Sequence, residues 1–299
     1  MLKARIAQGL EHNTYNVGVD GSNPSASTNH IYILSPIIIH NDCSLRKIML
    51  YYYYMEDKLN KLIYKAKHIM KNSRDPIHDL GHVSRVVSYV KAFVKDTDLS
   101  EQQKQAVILA AWWHDAARAL TKNTSFVWMA IVDDTLSALM LWKETIKCGL
   151  FGAPVGMATR MIICKSFGIG PILAKILFRK KNRILVNILE DADTVDMLYK
   201  ERLRWMMSFV ENSKLYYYGY KVIMWWCVKT AEIYVKTEQA AKFLQEMLAS
   251  FIKWLKEKNI YDWHVRQFGL EWVKKMLASV EGMLLFVLSA NYKSKLIMV

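Results

Sequence analysis

EQQKQAVILAAWWHDAARAL, residues 101–120, decides the fold of this chain and opens its chemistry. Ser100 stands directly before it as a helix cap, and Val107, Ala110, Ala111, Trp113 and Ala117 recur at helical spacing. The spacing predicts a helix over 101–119 with a buried face, and His114 and Asp115 lie beside that face. Neighbouring residues on a helix point about 100° apart, which normally keeps them from sharing a partner. A cation at the helix flank relaxes this, because an imidazole and a short carboxylate can both bend toward one point.

The same helical character extends outward. Between His82 and Cys148 there is neither Gly nor Pro, and after Pro171 there is no further Pro and only Gly219, Gly269 and Gly282. Such absence favours helices over turn-rich β structure. Helices are expected over 56–72, 80–95, 101–119, 124–148, 155–166, 171–178, 183–199, 200–212, 215–235, 237–257 and 262–287, with Thr237 capping the tenth of these. The chain reads as all-α, without internal repeats.

At 299 residues, with 53% hydrophobic and 23% charged residues, the chain can bury a substantial core and is too apolar for a disordered one. Its net charge of +14 is spread along the sequence, which suits nucleotides, nucleic acid or an anionic surface alike. Cys43, Cys148, Cys164 and Cys227 lie far apart without CxxC spacing, so they read as reduced thiols of a cytoplasmic protein rather than a zinc site or disulfide framework. The densest apolar stretches, 126–142 and 215–235, are interrupted by Asp133 and Asp134 or by Lys221 and Lys229. IYILSPIII at 31–39 is short and broken by Pro36, so no membrane span is expected.

Residues 1–29 contain GVDGSNPSASTN, rich in Gly, Ser, Asn and Pro and without periodicity. They resemble the conceptual translation of a transfer-RNA gene, which implies a natural start near Met49 or Met55, where MEDKLNKLIYKAKHIM reads as a first helix. A genuine targeting segment would need a compact apolar core with flanking positive charge and a small-residue cleavage site.

His82 in HDLGHVSRV, the pair His114-Asp115, and Asp193 in ILEDADTVDML are delivered by three separate helical segments. Two imidazoles and two carboxylates could hold one divalent cation with positions left open for water. That mixed nitrogen and oxygen set suits Mn²⁺, Mg²⁺, Fe²⁺ or Co²⁺ better than a closed structural zinc site. Each residue alone is more ordinary: a histidine beside Trp113 reads as a core residue, and an aspartate in a helix reads as an exposed carboxylate. Together they adjoin apolar stripes where an uncompensated charge is costly, and a cation supplies the compensation.

The strings HDxxHVxRV, WHDAAR and EDADTVDML, in that order, resemble the HD superfamily of metal-dependent phosphohydrolases, in particular its compact single-domain bacterial branch, over roughly residues 60–255. The resemblance implies an HD-domain-like helical bundle over 55–257, preceded by an irregular segment 1–54. It is followed by an extension, 258–299, that reads as an added amphipathic helix suited to oligomerisation or capping. It implies a metal-activated water attacking a phosphate ester, with a nucleotide the favoured substrate, and some members hydrolyse nucleotides. Carried over residue by residue, the metal ligands are His82, His114, Asp115 and Asp193, with Asp191 competing for the last place. Asp193 is favoured because it directly precedes the Thr194-Val195 pair.

His78 and Asp79 are the candidate catalytic residues, and Asp79 reads equally as a helix cap. Arg85 and Arg118 are candidate phosphate clamps, with a surface salt bridge as the other reading of each. Relatives with a second metal carry further histidines in the stretch corresponding to 130–168, where this chain has none. Asp134 and Lys165 stand in their place, and Lys165 becomes a candidate substrate contact. One metal ion is therefore expected rather than two, and a non-catalytic metal- or nucleotide-binding module is the alternative function. An iron-dependent oxygenase, which would need more histidines, ranks last. Lys175, Arg179, Lys180, Lys181 and Arg183 form a basic run that suits a polyphosphate or RNA, or else a solvated loop; nucleic acid is not favoured. The aromatic groups at 51–54, 112–113, 216–218 and 225–226 read as helix packing in preference to base stacking. A homo-oligomer is compatible with all of this.

Overall fold

A computed structural model of the chain describes residues 43–120, 126–165, 169–229 and 235–289. The transfer-RNA-like stretch 1–29, the apolar run 31–39 and the distal end of the helix expected over 215–235 lie outside the described residues, as do the side chains of Tyr51, Tyr52, Trp225 and Trp226. The chain divides into two compact units, Met1–Lys47 and Ile48–Val299, and the second carries every contact discussed below.

Twelve α-helices and no strand are found among the described residues: α1 Cys43–Lys71, α2 Leu80–Val94, α3 Glu101–Trp113, α4 Phe126–Cys148, α5 Ala153–Cys164, α6 Gly170–Leu177, α7 Ile184–Asp196, α8 Lys200–Asn212, α9 Lys214–Lys229, α10 Glu238–Leu255, α11 Lys258–Phe268 and α12 Leu270–Leu288. The protein is an all-α helical bundle, as the Gly- and Pro-poor sequence predicts. No helix among the described residues is long and apolar enough to cross a membrane.

The centre of the bundle is α3. Ala106, Val107, Leu109, Ala110, Ala111, Trp112 and Trp113 are all buried, so α3 is enclosed on most sides rather than amphipathic. Its alanines let α2, α5 and α7 approach closely; α2 carries His82, α7 carries Asp193, and Lys165 follows α5. A capping box fixes its start: Ser100 Oγ accepts from the Gln103 amide, and the Gln103 side chain accepts from the Ser100 amide.

Three boundaries differ most from the sequence reading. Helix α1 begins at Cys43 rather than residue 56, consistent with the absence of Gly and Pro through Lys71. The helix expected over 101–119 stops at Trp113 and tightens, after His114 and Asp115, into a 3₁₀ turn over Ala116–Leu120. The single C-terminal helix expected over 262–287 is two helices, because Gly269 adopts φ +86, a conformation that breaks the helix and suits glycine. Both pack onto α10, and Ile260, Trp263, Val273, Met276 and Val280 join the same apolar core as α2, α3 and α7.

Candidate metal centre

Each site residue is fixed by a local feature. His82 sits in the first turn of α2, where Asp79 is the N-cap and its Oδ1 accepts from the His82 backbone amide at 2.8 Å. Asp79 therefore holds the helix start in place. His114 is the C-cap of α3, and the 3₁₀ turn that follows is anchored to α4 by the Ala117 amide donating to Ser137 Oγ at 3.0 Å. His114 keeps helical dihedrals, φ −57 and ψ −34, so it is the side chains that bend His114 and Asp115 toward one point. Asp193 projects from α7, and Lys165 caps the C-terminus of α5.

These elements converge. His82 Nε2 lies 3.3 Å from His114 Nε2, 3.1 Å from Asp115 Oδ2 and 3.4 Å from Asp193 Oδ1. His114 Nε2 lies 3.3 Å from Asp115 Oδ2 and 3.9 Å from Asp193 Oδ1. His82, His114 and Asp193 form a group whose ligand atoms all lie within 4.8 Å of one another, close enough to hold a metal ion. Both imidazoles have their second nitrogen occupied: His82 Nδ1 bonds Asp196 Oδ2 at 2.7 Å and His114 Nδ1 bonds the Ala111 carbonyl at 2.8 Å. Those acceptors place the proton on Nδ1 of each ring, so the two Nε2 lone pairs face each other. Asp115 Oδ2 is buried, and these two Nε2 atoms are its polar neighbours.

The charges follow from this crowding. Burial pulls the His114 imidazole down, but Asp115 and Asp193 outweigh it and raise its pKa. Burial likewise opposes ionisation of Asp193 and Asp115, yet Lys165 and the histidines hold both carboxyls below the usual range. The Lys165 Nζ lies 2.9 Å from Asp193 and 3.8 Å from both Asp115 and Asp134. Despite its burial, those three carboxylates keep the ammonium charged. Lys165 and Asp134 thus belong to the cluster itself.

The remaining candidates occupy a surrounding layer. His78 Nδ1 bonds Asp75 Oδ2 at 2.9 Å, and its ring lies 5.7 Å from that of His82. Burial lowers its pKa to about 4 against the pull of Asp75, so the ring is neutral near pH 7 with Nδ1 as the donor. The Arg85 guanidinium is committed to Asp196, through Nε at 2.7 Å and Nη2 at 3.1 Å, and stacks 3.8 Å over the Tyr199 ring. Arg118 bonds Asp133 on α4 through Nε. Asp191 faces away from the cluster: it accepts from the Lys236 and Thr237 amides and from Thr237 Oγ1, joining α7 to the start of α10. Of the two carboxylates in DAD, Asp193 is the one in the metal-competent group.

Sequence reasoning passed over Asp196. It is fully buried and accepts from His82 Nδ1, Arg85 and, at 3.2 Å, Arg202 Nη1. Its position three residues after Asp193 places both on one face of α7, which was the available signal. No family model matches the chain, and neither does any curated protein or solved structure.

Proposed function

We propose that this protein is a metal-dependent phosphohydrolase of the HD type, cleaving a nucleotide or related phosphate ester, with His82, His114, Asp115 and Asp193 holding one divalent cation. One observation carries the reading. Two imidazole Nε2 atoms, each with its Nδ1 bonded elsewhere, meet at 3.3 Å beside the buried Oδ2 of Asp115, which lies 3.1 and 3.3 Å from them. Acceptors aimed at one another in a buried site are stabilised by a shared cation or by protons and by little else.

When bound, a divalent ion supplies Lewis acidity, lowering the pKa of a water and polarising a phosphoryl oxygen. The protein supplies the rest. Asp193 is 22% exposed while His82, His114 and Asp115 are at most 3%, so a phosphate approaches from the Asp193 side. There the Lys165 ammonium meets its negative charge. His78, backed by Asp75 and neutral, offers Nε2 as an acceptor that orients the attacking water or takes its proton. Asp196, gripped by two arginines, fixes the tautomer of His82.

A second reading, a metal- or nucleotide-binding module without turnover, is favoured by Lys165, which already neutralises part of the carboxylate charge. Titration with Mn²⁺, Co²⁺, Fe²⁺ and Mg²⁺, combined with phosphate and pyrophosphate release from a panel of nucleoside mono-, di- and triphosphates, separates the two. Release that is lost on chelation and in Asp193→Ala supports hydrolysis. Tight cation binding without release supports the module, and absence of cation binding by the folded protein refutes both.

A further inference from the structure

Arg183 stands immediately before α7, roughly 15 Å along the helix axis from Asp193. It lines a cavity of about 470 Å³ together with Arg160, Lys175, Arg179, Lys180 and Asn182, between α5, α6 and the 3₁₀ turn Lys180–Asn182. Five cations share this concavity, and no ion pair links any of them to a carboxylate among the described residues.

The donors are held ready. Arg160 is pinned by its Nε donating to the Gly156 carbonyl at 3.0 Å and its Nη1 to the Leu177 carbonyl at 3.2 Å. Its guanidinium carbon lies 5.2 Å from the centre of the Phe178 ring. Asn182 Oδ1 accepts from Gln103 Nε2 at 3.3 Å, which leaves the Asn182 amide nitrogen as a donor. Arg183 Nε is buried without a hydrogen-bond partner. Five positive charges around one concavity repel one another, and an anion bound among them offsets that repulsion.

The cavity is much larger than a single phosphate requires and falls within the usual range of small-ligand sites. Single-stranded nucleic acid fits it poorly, because stacking needs an open aromatic face and Phe178 is 4% exposed beneath Arg160. We propose that this cavity binds a chain of phosphate groups, either inorganic polyphosphate or the 5′-polyphosphate of a nucleotide, at a site separate from the metal centre.

The test is calorimetric binding of tripolyphosphate, ATP, AMP and sulfate to the full-length protein at fixed ionic strength and in excess chelator, so that a cation at the metal centre contributes nothing. Tripolyphosphate and ATP are expected to bind and sulfate and AMP to bind far more weakly. Equal affinity for the first two assigns recognition to the phosphate chain, and tighter ATP binding assigns it to a nucleotide. Lys175, Arg179 and Lys180 are exposed, so the K175Q/R179Q/K180Q variant folds normally and loses about 30-fold in affinity. A control variant, K65Q/K91Q/K253Q, removes the same charge from exposed positions elsewhere and retains binding. Asp193→Asn also retains it, because that residue belongs to the other site. Equal losses in the two triple variants, sulfate binding as tightly as tripolyphosphate, or preference for single-stranded RNA over both overturns the proposal.

Discussion

Replacing Asp196 with alanine tests whether the layer around the proposed metal centre sets its affinity. The carboxylate is fully buried and accepts from three side chains: His82 Nδ1 at 2.7 Å, Arg85 at 2.7 and 3.1 Å, and Arg202 at 3.2 Å. Removing one partner of a buried ion pair costs about 3–5 kcal/mol. Arg85 and Arg202 keep 24% and 9% of their side-chain surface in water, so the lower end, about 3 kcal/mol, is expected from urea unfolding of the metal-free protein. Losing the acceptor for Nδ1 also frees the His82 ring to rotate and to exchange tautomers. Outer-layer losses of this kind weaken metal binding by about 10–100-fold, or about 1.4–2.7 kcal/mol.

Asp196→Asn separates the two effects. Its amide oxygen can keep the position of Oδ2, which receives His82, Arg85 Nη2 and Arg202, while the amide nitrogen faces only Arg85 Nε. Stability then falls with the lost charge, and Mn²⁺ affinity falls less than in the alanine variant. Calorimetric Mn²⁺ titration of the three folded proteins reads the order directly. Wild-type affinity in Asp196→Ala would refute the claim that this carboxylate orients a metal ligand.

Three further outcomes follow from contacts elsewhere. His264 is fully buried, bonded through Nδ1 to the Ile260 carbonyl and through Nε2 to the Tyr220 hydroxyl, and burial lowers its pKa to about 4. The unfolded chain therefore binds the extra proton first, so this contribution is complete above pH 6.5 and is lost as pH falls toward 4. It amounts to about 3 kcal/mol in the unfolding profile, and a profile unchanged by His264→Gln contradicts it. A Cβ on Gly170 would stand 2.2 Å from the Cys164 carbonyl oxygen, so Gly170→Ala costs about 1–3 kcal/mol or more, whereas Gly282 in α12 meets nothing within 4 Å and Gly282→Ala stabilises by about 0.5–1 kcal/mol. Thermal melts that place both variants on the same side of wild type sink the argument. Asp191→Ala lowers stability through the α7–α10 junction and leaves Mn²⁺ titration unchanged, while Asp193→Ala abolishes that titration; interchange of the two phenotypes refutes the assignment.

Helix content was legible because Gly and Pro are scarce over most of the chain, a property of local backbone entropy that needs no tertiary information. Convergence of His82, His114 and Asp193 was legible for a different reason. Ionisable side chains next to apolar stripes must find compensation, and a shared cation compensates several at once. What escaped the sequence was geometry set by long-range contacts. The end of α3 at Trp113 is accompanied by Ala117 reaching Ser137 and Arg118 reaching Asp133 on the next helix, α4, while the local sequence through Leu120 favours continued helix. The fate of Arg85 depends on Asp196. Arginine at helical spacing from a metal ligand reads as a phosphate clamp until a buried carboxylate claims its fork, and only the fold decides which acceptor arrives first. The same logic separates the basic run from the arginines around the His82–His114–Asp193 group. Arg85 and Arg118 have acidic partners supplied by α7 and α4, whereas the cations around Arg183 have none among the described residues, so this basic concavity is left without internal compensation.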